Sequence, residues 1–382
     1  MSRKLDIPFA DSARSSVGIE WEIAMVDRDS GDLRQVAQTV LDAVRRPDGR
    51  EDPAIRQELL LNTVELVSQP HMTVAEAGAD LGRALDRVAQ IVDPLRVDLM
   101  CAGTHPFAEW TNQRVTSKER YAKLIDRTQW WGRQMLIYGV HMHVGIEDRD
   151  KVLPVTRALL TYIPHLESLS ASSPFWAGQT TGYASNRALM FQQLPTAGLP
   201  CMFTRWEEFE GYVGDMIHTG VIDDLSEIRW DIRPSPRFGT VEVRVCDGLP
   251  SMSEVLALSA LVHCLVEDFS ARLDAGEELP VLPIWYIQEN KWRAARYGMD
   301  AIIILDAEGD ERLVTDELGP LLDRLEPVAA RLGCVAELRG IEQIIRRGAS
   351  YQRQRAVARR NGGDLRPVVD ALVAEMRAGH PL

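Results

Sequence analysis

The 382-residue sequence lacks several things, and each lack removes a class of protein. Its five cysteines (Cys101, Cys201, Cys246, Cys264 and Cys334) are widely spaced and odd in number, with no CxxC pair and no zinc-finger spacing. A disulfide scaffold and a structural zinc domain are therefore excluded, and reduced cysteines in a cytoplasmic enzyme are expected. No apolar run reaches the ~18–20 residues of a membrane span. The opening "MSRKLDIPFADSARSS" has no apolar core of the kind a secretory signal carries, so no membrane partner is expected. Basic clusters are also scarce. Lys+Arg total 43 against 56 Asp+Glu, a net charge of −13, which argues against nucleic acid as a partner. There is no GxxxxGK[ST] loop, no internal repeat and no low-complexity linker.

What is present is ample apolar material, 45% of residues, and an interleaving of helical and extended patterns. Helical spacing runs through "QVAQTVLDAVRR" and "TVAEAGADLGRALDRVAQIV", the second opened by Thr73 with Glu76 three residues on, a capping-box signature. "SKERYAKLIDRTQWWGRQML", "DKVLPVTRALLTYIPHLESLSA", "SMSEVLALSALVHCLVEDFSARL" and the Leu/Ala/Arg-rich C-terminal stretch of ~60 residues read as helices too. Between them lie strand-like runs at 17–27, 58–69, 97–104, 138–146 and 240–247. The segment 173–200 is long and rich in Gly, Pro and aromatic residues, and it reads as a covering or binding loop.

Three of the strand-like runs share a pattern. In "GIEWEIAM" (18–25) the period of two puts Ile19, Trp21, Ile23 and Met25 on one face and Glu20 and Glu22 on the other. The two carboxylates stand ~6.6 Å apart along the strand and repel unless a cation lies between them. In "YGVHMHVGI" His141 and His143 oppose an apolar face, flanked by Gly139 and Gly145, whose missing side chains would leave room for a ligand. In "GTVEVRVCD" Glu242, Arg244 and Cys246 oppose three valines. Each strand alone fits a solvated or structural role. Together they describe a sheet with one apolar face and one face of carboxylates, imidazoles and a guanidinium. Oxygen-rich sites with one histidine per ion suit Mg²⁺ or Mn²⁺ better than zinc. "RQELLLNTVELVS" adds Glu58 and Glu65, which are seven apart, so either a bulge intervenes or Glu58 precedes the strand.

Arginines form the other half of the pattern. "IRWDIRPSPRFGTVEVR" holds Arg229, Arg233, Arg237 and Arg244, and "ENKWRAARYGMDA" holds Lys291, Arg293 and Arg296. Guanidinium forks suit phosphate and carboxylate oxygens, and metal ions plus arginines over one face is the equipment of phosphoryl transfer from a nucleotide. The second cluster also reads as a solvated helix face.

The motifs "GIEWEIAMVD", "ELLLNTVELVS", "GVHMHVGIED", "WDIRPSPRFGTVEVRVCDG" and "ENKWRAARYG", in this order, resemble the carboxylate–amine ligase family of the YbdK type, also called type 2 glutamate–cysteine ligase. The resemblance runs from about residue 16 into the C-terminal region. It implies the glutamine synthetase-like fold, an α+β architecture with a curved, largely antiparallel sheet, helices on its outer face and the active site on the concave face. It implies one catalytic domain over 1–382, ATP with two or more Mg²⁺ or Mn²⁺ ions, amino-acid substrates and a homodimer. By the superfamily pattern, Glu20 would hold one ion with Glu65 and Glu58, and Glu22 a second with His141 and Glu242. Arg233, Arg237 and Arg244 would act in catalysis and, with Arg293 and Arg296, hold the nucleotide. His143 is a further candidate metal ligand whose role is left open. The implied reaction activates a γ-carboxylate as an acyl phosphate, which an amine then attacks. A phosphotransferase that releases its phosphorylated product, a metal-dependent oxygenase and a silent binding protein are the competing readings.

Overall fold

A computed structural model describes residues 5–382. In chain order its strands are β1 (Val17–Asp27), β2 (Ile55–Gln57), β3 (Thr63–Val67), β4 (Val97–Met100), β5 (Val140–Gly145), β6 (Phe175–Trp176), β7 (Gln179–Thr180), β8 (Ile232–Ser235), β9 (Thr240–Val243), β10 (Ile302–Ile304) and β11 (Glu311–Leu313). Seven of them form one sheet in the order β2-β3-β1-β5-β9-β8, with β4 paired to the far half of β1, and every pairing is antiparallel. Strands and helices are mixed along the chain, so the architecture is α+β.

The central strand follows its sequence pattern. Ile19, Trp21, Ile23 and Met25 are fully buried. Trp21 also donates its indole N–H to the Leu249 carbonyl (3.1 Å), which satisfies the one polar atom that face takes inside. Helices Val74–Val92, Arg149–Leu160 and Met252–Asp274 pack on the sheet. The first is capped as its sequence predicts, with the Thr73 hydroxyl accepting from the Glu76 N–H. The helices after residue 314 pack onto the Met252–Asp274 helix and onto β4. No helix among the described residues is long and apolar enough to cross a membrane.

The structure corrects several sequence boundaries. The run 58–69 is the turn and second strand of the β2–β3 hairpin, so Glu58 sits just past β2 and Glu65 within β3. The expected helix over 150–171 is two helices, Arg149–Leu160 and Ile163–Ser170, the second carrying in its first turn Pro164, which has no N–H to continue the first. The segment 173–200 is not an open loop. It carries β6, β7 and the helix Asn186–Phe191, and its first half is anchored inside by Asp247, whose carboxylate accepts from Ser172 N (2.9 Å), Ser173 Oγ (2.7 Å) and Ser185 Oγ (2.8 Å).

Candidate active site

The register of the sheet turns three separate alternating patterns into rungs across one face. Cross-strand partners point the same way and lie close enough for their side chains to meet. In the first rung Arg56, Glu65 and Glu22 line up on β2, β3 and β1. In the next, Glu20 faces His141 on β5. In the third, Gly18, His143, Glu242 and Arg233 run from β1 to β8. Glu58 reaches the first rung from the end of β2. Glu20, Glu22, Arg56, Glu58, Glu65, His141 and Arg233 of these rungs line a cavity of about 850 Å³.

Within the face the acids sort into two groups. Glu20, His141 and Glu242 each offer a ligand atom within 4.8 Å of the others, and so do Glu22, Glu58 and Glu65. The pairing implied by the superfamily pattern is thus exchanged: His141 and Glu242 go with Glu20, and Glu58 and Glu65 with Glu22. The reason is register, because Glu22 stands directly opposite Glu65 and Glu20 opposite His141.

The two groups differ in charge balance. Burial raises the Glu22 carboxyl to about 8, helped by the negative charge of Glu58. Burial likewise lifts Glu58, and it lifts Glu65 well above the ordinary carboxylate range with the neighbouring acids adding to it. Glu242 is the opposite case. Burial works against its charge, but Arg233 (Nε to Oε2, 2.7 Å) and Arg244 outweigh it and hold the carboxyl well below its usual range. Glu20 is likewise held down at about 2, where burial is outweighed by the His141 hydrogen bond (3.3 Å) and by His143. His141 is pushed down to about 4, first by burial and then by Arg244, so its neutral ring donates one N–H to Glu20 and keeps a lone pair on the other nitrogen. His143 lies between the two carboxylates of its group, 3.8 Å from Glu20 and 3.9 Å from Glu242, with Nδ1 2.9 Å from the Thr240 hydroxyl.

The arginines also divide. Arg229, Arg233 and Arg244 line the cavity, and the buried Nε of Arg244 has no hydrogen-bond partner. Arg237 does not line it. It sits exposed in the β8–β9 turn, with its guanidinium 5.5 Å from the Phe238 ring. Arg293 and Arg296, expected at the nucleotide, are also outside the lining, on the helix Ile284–Tyr297. Arg293 is engaged by Glu289 (2.8 Å) and Glu311 (2.5 Å). Arg296 donates to the Gly182 carbonyl and stacks on Tyr183 and Tyr297. Lys291 from the same helix points inward and pairs with buried Asp231 (2.6 Å), whose carbonyl accepts from Arg244 N.

Arg56, of the first rung, and Arg187 escaped the sequence reading. Arg187 is buried, lines the cavity, and makes only long bonds to the carbonyls of Val245 (3.3 Å) and Arg244 (3.4 Å), leaving Nε without a partner. It arrives from the segment held by Asp247, with its own N–H donating to Ser173 Oγ (3.0 Å). The hints in the sequence were the binding-loop reading of 173–200 and Ser185, an N-cap ahead of a short apolar run. Gly139 makes room for this guanidinium and not for a ligand, since a Cβ there would collide with Arg187 Nη2, and Gly145 makes room for Ala13 and Ser16. Trp130 and Trp131 are exposed, Trp176 packs against the core, and burial raises the Cys246 thiol to about 12.

Comparisons with known proteins point the same way as this geometry. The sequence model described as Glutamate-cysteine ligase family 2 (GCS2) matches residues 16–371. A protein of Arthrobacter sp. (strain FB24), provisionally named glutamate–cysteine ligase 2-1, is 60% identical over 380 residues, 98% of this chain and 99% of that one. A relative from Leifsonia xyli subsp. xyli (strain CTCB07), provisionally named glutamate–cysteine ligase 2, is 58% identical over 373 residues, again 98% and 99% of the two chains. Among solved structures, the glutamate–cysteine ligase of Francisella tularensis in complex with AMP aligns with a TM-score of 0.68 at 15% identity, over 97% of this chain and 89% of that one. At that identity the likeness concerns the fold.

Proposed function

The chain belongs to glutamate-cysteine ligase family 2 and is an ATP-dependent ligase that forms an amide bond, and we propose that the buried charged face of its sheet is where glutamate, ATP and cysteine meet. A free carboxylate is a poor electrophile. Activation requires a γ-carboxylate oxygen of glutamate to attack the γ-phosphorus of ATP, expelling ADP and leaving an acyl phosphate. The amine of cysteine then attacks the acyl carbon, loses a proton, and phosphate departs to give γ-glutamylcysteine.

In this reading Arg187, Arg233 and Arg244 face the anionic oxygens of nucleotide and acid. Two of the three keep an unsatisfied Nε inside the protein, so their charge is preorganised and needs no rearrangement when negative charge develops on the transferring group. The donor sets also fit divalent ions. Glu22, Glu58 and Glu65 form an all-oxygen group, and Glu20, His141 and Glu242 form an oxygen-rich group with a single imidazole. Mg²⁺ or Mn²⁺ bound there would neutralise phosphate oxygens. The observation that carries this reading is the first group. Three carboxylates with raised proton affinity, Glu65 buried and Glu22 and Glu58 half-buried, packed within 4.8 Å, have fewer cations beside them than their charge requires. Five unpaired cysteines suit the reducing cytoplasm as its location.

The test is ADP release measured with purified protein, ATP and Mg²⁺ against a panel of acids and amines. The expected outcome is release that needs glutamate and cysteine together. Release with an acid alone, leaving a stable phosphorylated product, would favour the phosphotransferase reading instead.

A further inference from the structure

The helix Glu119–Arg133 is placed unlike any other in the protein. Of its fifteen residues only Tyr121 and Gly132 are buried, while Trp130 and Trp131 stand in solvent. It spans the mouth of the cavity from one bank to the other. On the β2 bank the Tyr121 hydroxyl donates to Glu58 (3.4 Å), and Lys118 lies 3.9 Å from Glu51. On the far bank Lys123 lies 3.6 Å from Asp223, and Arg127 donates to the Val221 carbonyl and lies 4.0 Å from Glu227. Glu51, Glu58, Asp223 and Glu227 all line the same cavity. Apart from the edge-to-face contact of Trp130 with Trp110 (4.9 Å), these ties are polar contacts, mostly at half-exposed groups that water and salt screen. The Met252–Asp274 helix, by contrast, is buried along most of its length. Toward its end the Glu119–Arg133 helix is interrupted at Gln129, whose φ of +48° is unfavourable for a residue with a Cβ.

The inner surface of this helix is mostly basic, with Glu119, 3.5 Å from Lys123, its one cavity-lining acid. Arg120, Lys123 and Arg127, at i, i+3 and i+7, fall on one side and line the cavity together with Leu124. Across the space stand Arg229 and Arg233. The rim carboxylates that hold Lys123 and Arg127 are weak, exchangeable partners, and a polyanion entering the cavity would compete for the same cations.

We propose that the helix Glu119–Arg133 is a strap that opens to admit substrates and closes on the polyphosphate of the nucleotide, with Lys123 and Arg127 exchanging rim carboxylates, and Arg120 the Tyr121 hydroxyl, for phosphate oxygens. This rests on the reading of the cavity as the nucleotide site. It assigns the cover of that site to 119–133, the role the sequence pattern suggested for 173–200.

Hydrogen exchange of the full-length protein with Mg²⁺ tests it. With the non-hydrolysable ATP analogue AMP-PNP, amides of 119–133 are expected to slow by about tenfold or more, and with adenosine to stay as in the free protein. A second measurement uses a Cys201→Ser background, since Cys201 is the exposed cysteine. Lys123→Cys and Asp223→Cys are joined there by a short bis-maleimide. The bridged protein is expected to bind AMP-PNP at least about tenfold more slowly than the same variant unbridged. Calorimetry of AMP-PNP with the unmodified protein separates the two ideas. If nucleotide binds while 119–133 exchanges unchanged and the bridged variant binds at the unbridged rate, the strap is overturned and the ligase reading stands. If no nucleotide binds, both fall.

Discussion

Two clusters of buried acid share one sheet face and are built to opposite rules. Around Glu242, two guanidiniums are fixed within hydrogen-bond reach, and the carboxylate is ionised whatever else is bound. Around Glu22, Glu58 and Glu65 no guanidinium is paired, and burial and mutual repulsion raise all three carboxyls. Glu242 is more buried than Glu65 and than the half-buried Glu22 and Glu58, yet it is the one held ionised, so the deciding variable is whether the compensating charge belongs to the protein. A carboxylate compensated by the protein is ionised before any ligand arrives and orients Arg233 and Arg244. An uncompensated cluster waits for an exchangeable cation, a proton when metal is absent and a divalent ion when it is present.

The sharpest way to break this comparison is to neutralise one acid from each group. Glu22→Gln and Glu20→Gln are each expected to lower turnover by on the order of 10²-fold or more without unfolding the protein, as read by ADP release alongside circular dichroism. If both variants keep wild-type turnover, the two-group reading of the site fails. A second contrast is in stability. Arg233→Ala leaves Glu242, 1% exposed, with one guanidinium fewer. Removing one partner of a buried pair costs about 3 kcal/mol, which chemical denaturation would detect. Glu22→Gln should not destabilise the metal-free protein.

The third prediction concerns pH. Glu22 has an ordinary pKa of 4.5 when unfolded and one of about 8 when folded, so between these values the folded chain binds more protons. Its contribution makes the metal-free protein lose stability as pH rises through that window, and the loss is complete above about 8. Melting curves in EDTA from pH 5 to 9 should show this slope, and Glu22→Gln should reduce it. For the same reason, Mg²⁺ binding at pH 7 should release protons, seen as a buffer-dependent heat in calorimetry. The smallest effect is expected at Arg293→Ala. That guanidinium is held by Glu289 and Glu311 outside the cavity, and its loss should change stability by about 0.5 kcal/mol and leave the KM for ATP unchanged. A large rise in that KM would return Arg293 to the nucleotide.

Much of this face was legible beforehand because a strand's alternation is a local property. Glu20, Glu22, His141, His143, Glu242 and Arg244 could each be assigned to a polar face from their own five or six residues. Glu58 was harder, because its place depends on where the β2–β3 hairpin turns. Arg187 was hidden because it lies on no periodic face. Its position comes from Asp247, sixty residues on in sequence, which gathers three serines and carries the segment to the sheet. Arg293 and Arg296 fall outside the cavity lining for the complementary reason: a helix shows which residues share a side, but nothing local says which side faces the site.

What the sequence by itself determined, then, is the alternation, the apolar anchor Ile19–Trp21–Ile23–Met25 and the family to which the five motifs point. Only the tertiary structure decided which acid meets which. Register is set by hairpins and neighbouring strands, so Glu22 faces Glu65 and Glu20 faces His141, and the partners expected for the two glutamates change places. The charge state of each cluster follows from that same placement. A carboxylate's proton affinity is set by burial and by the nearest cation, and neither is a property of the strand that carries it.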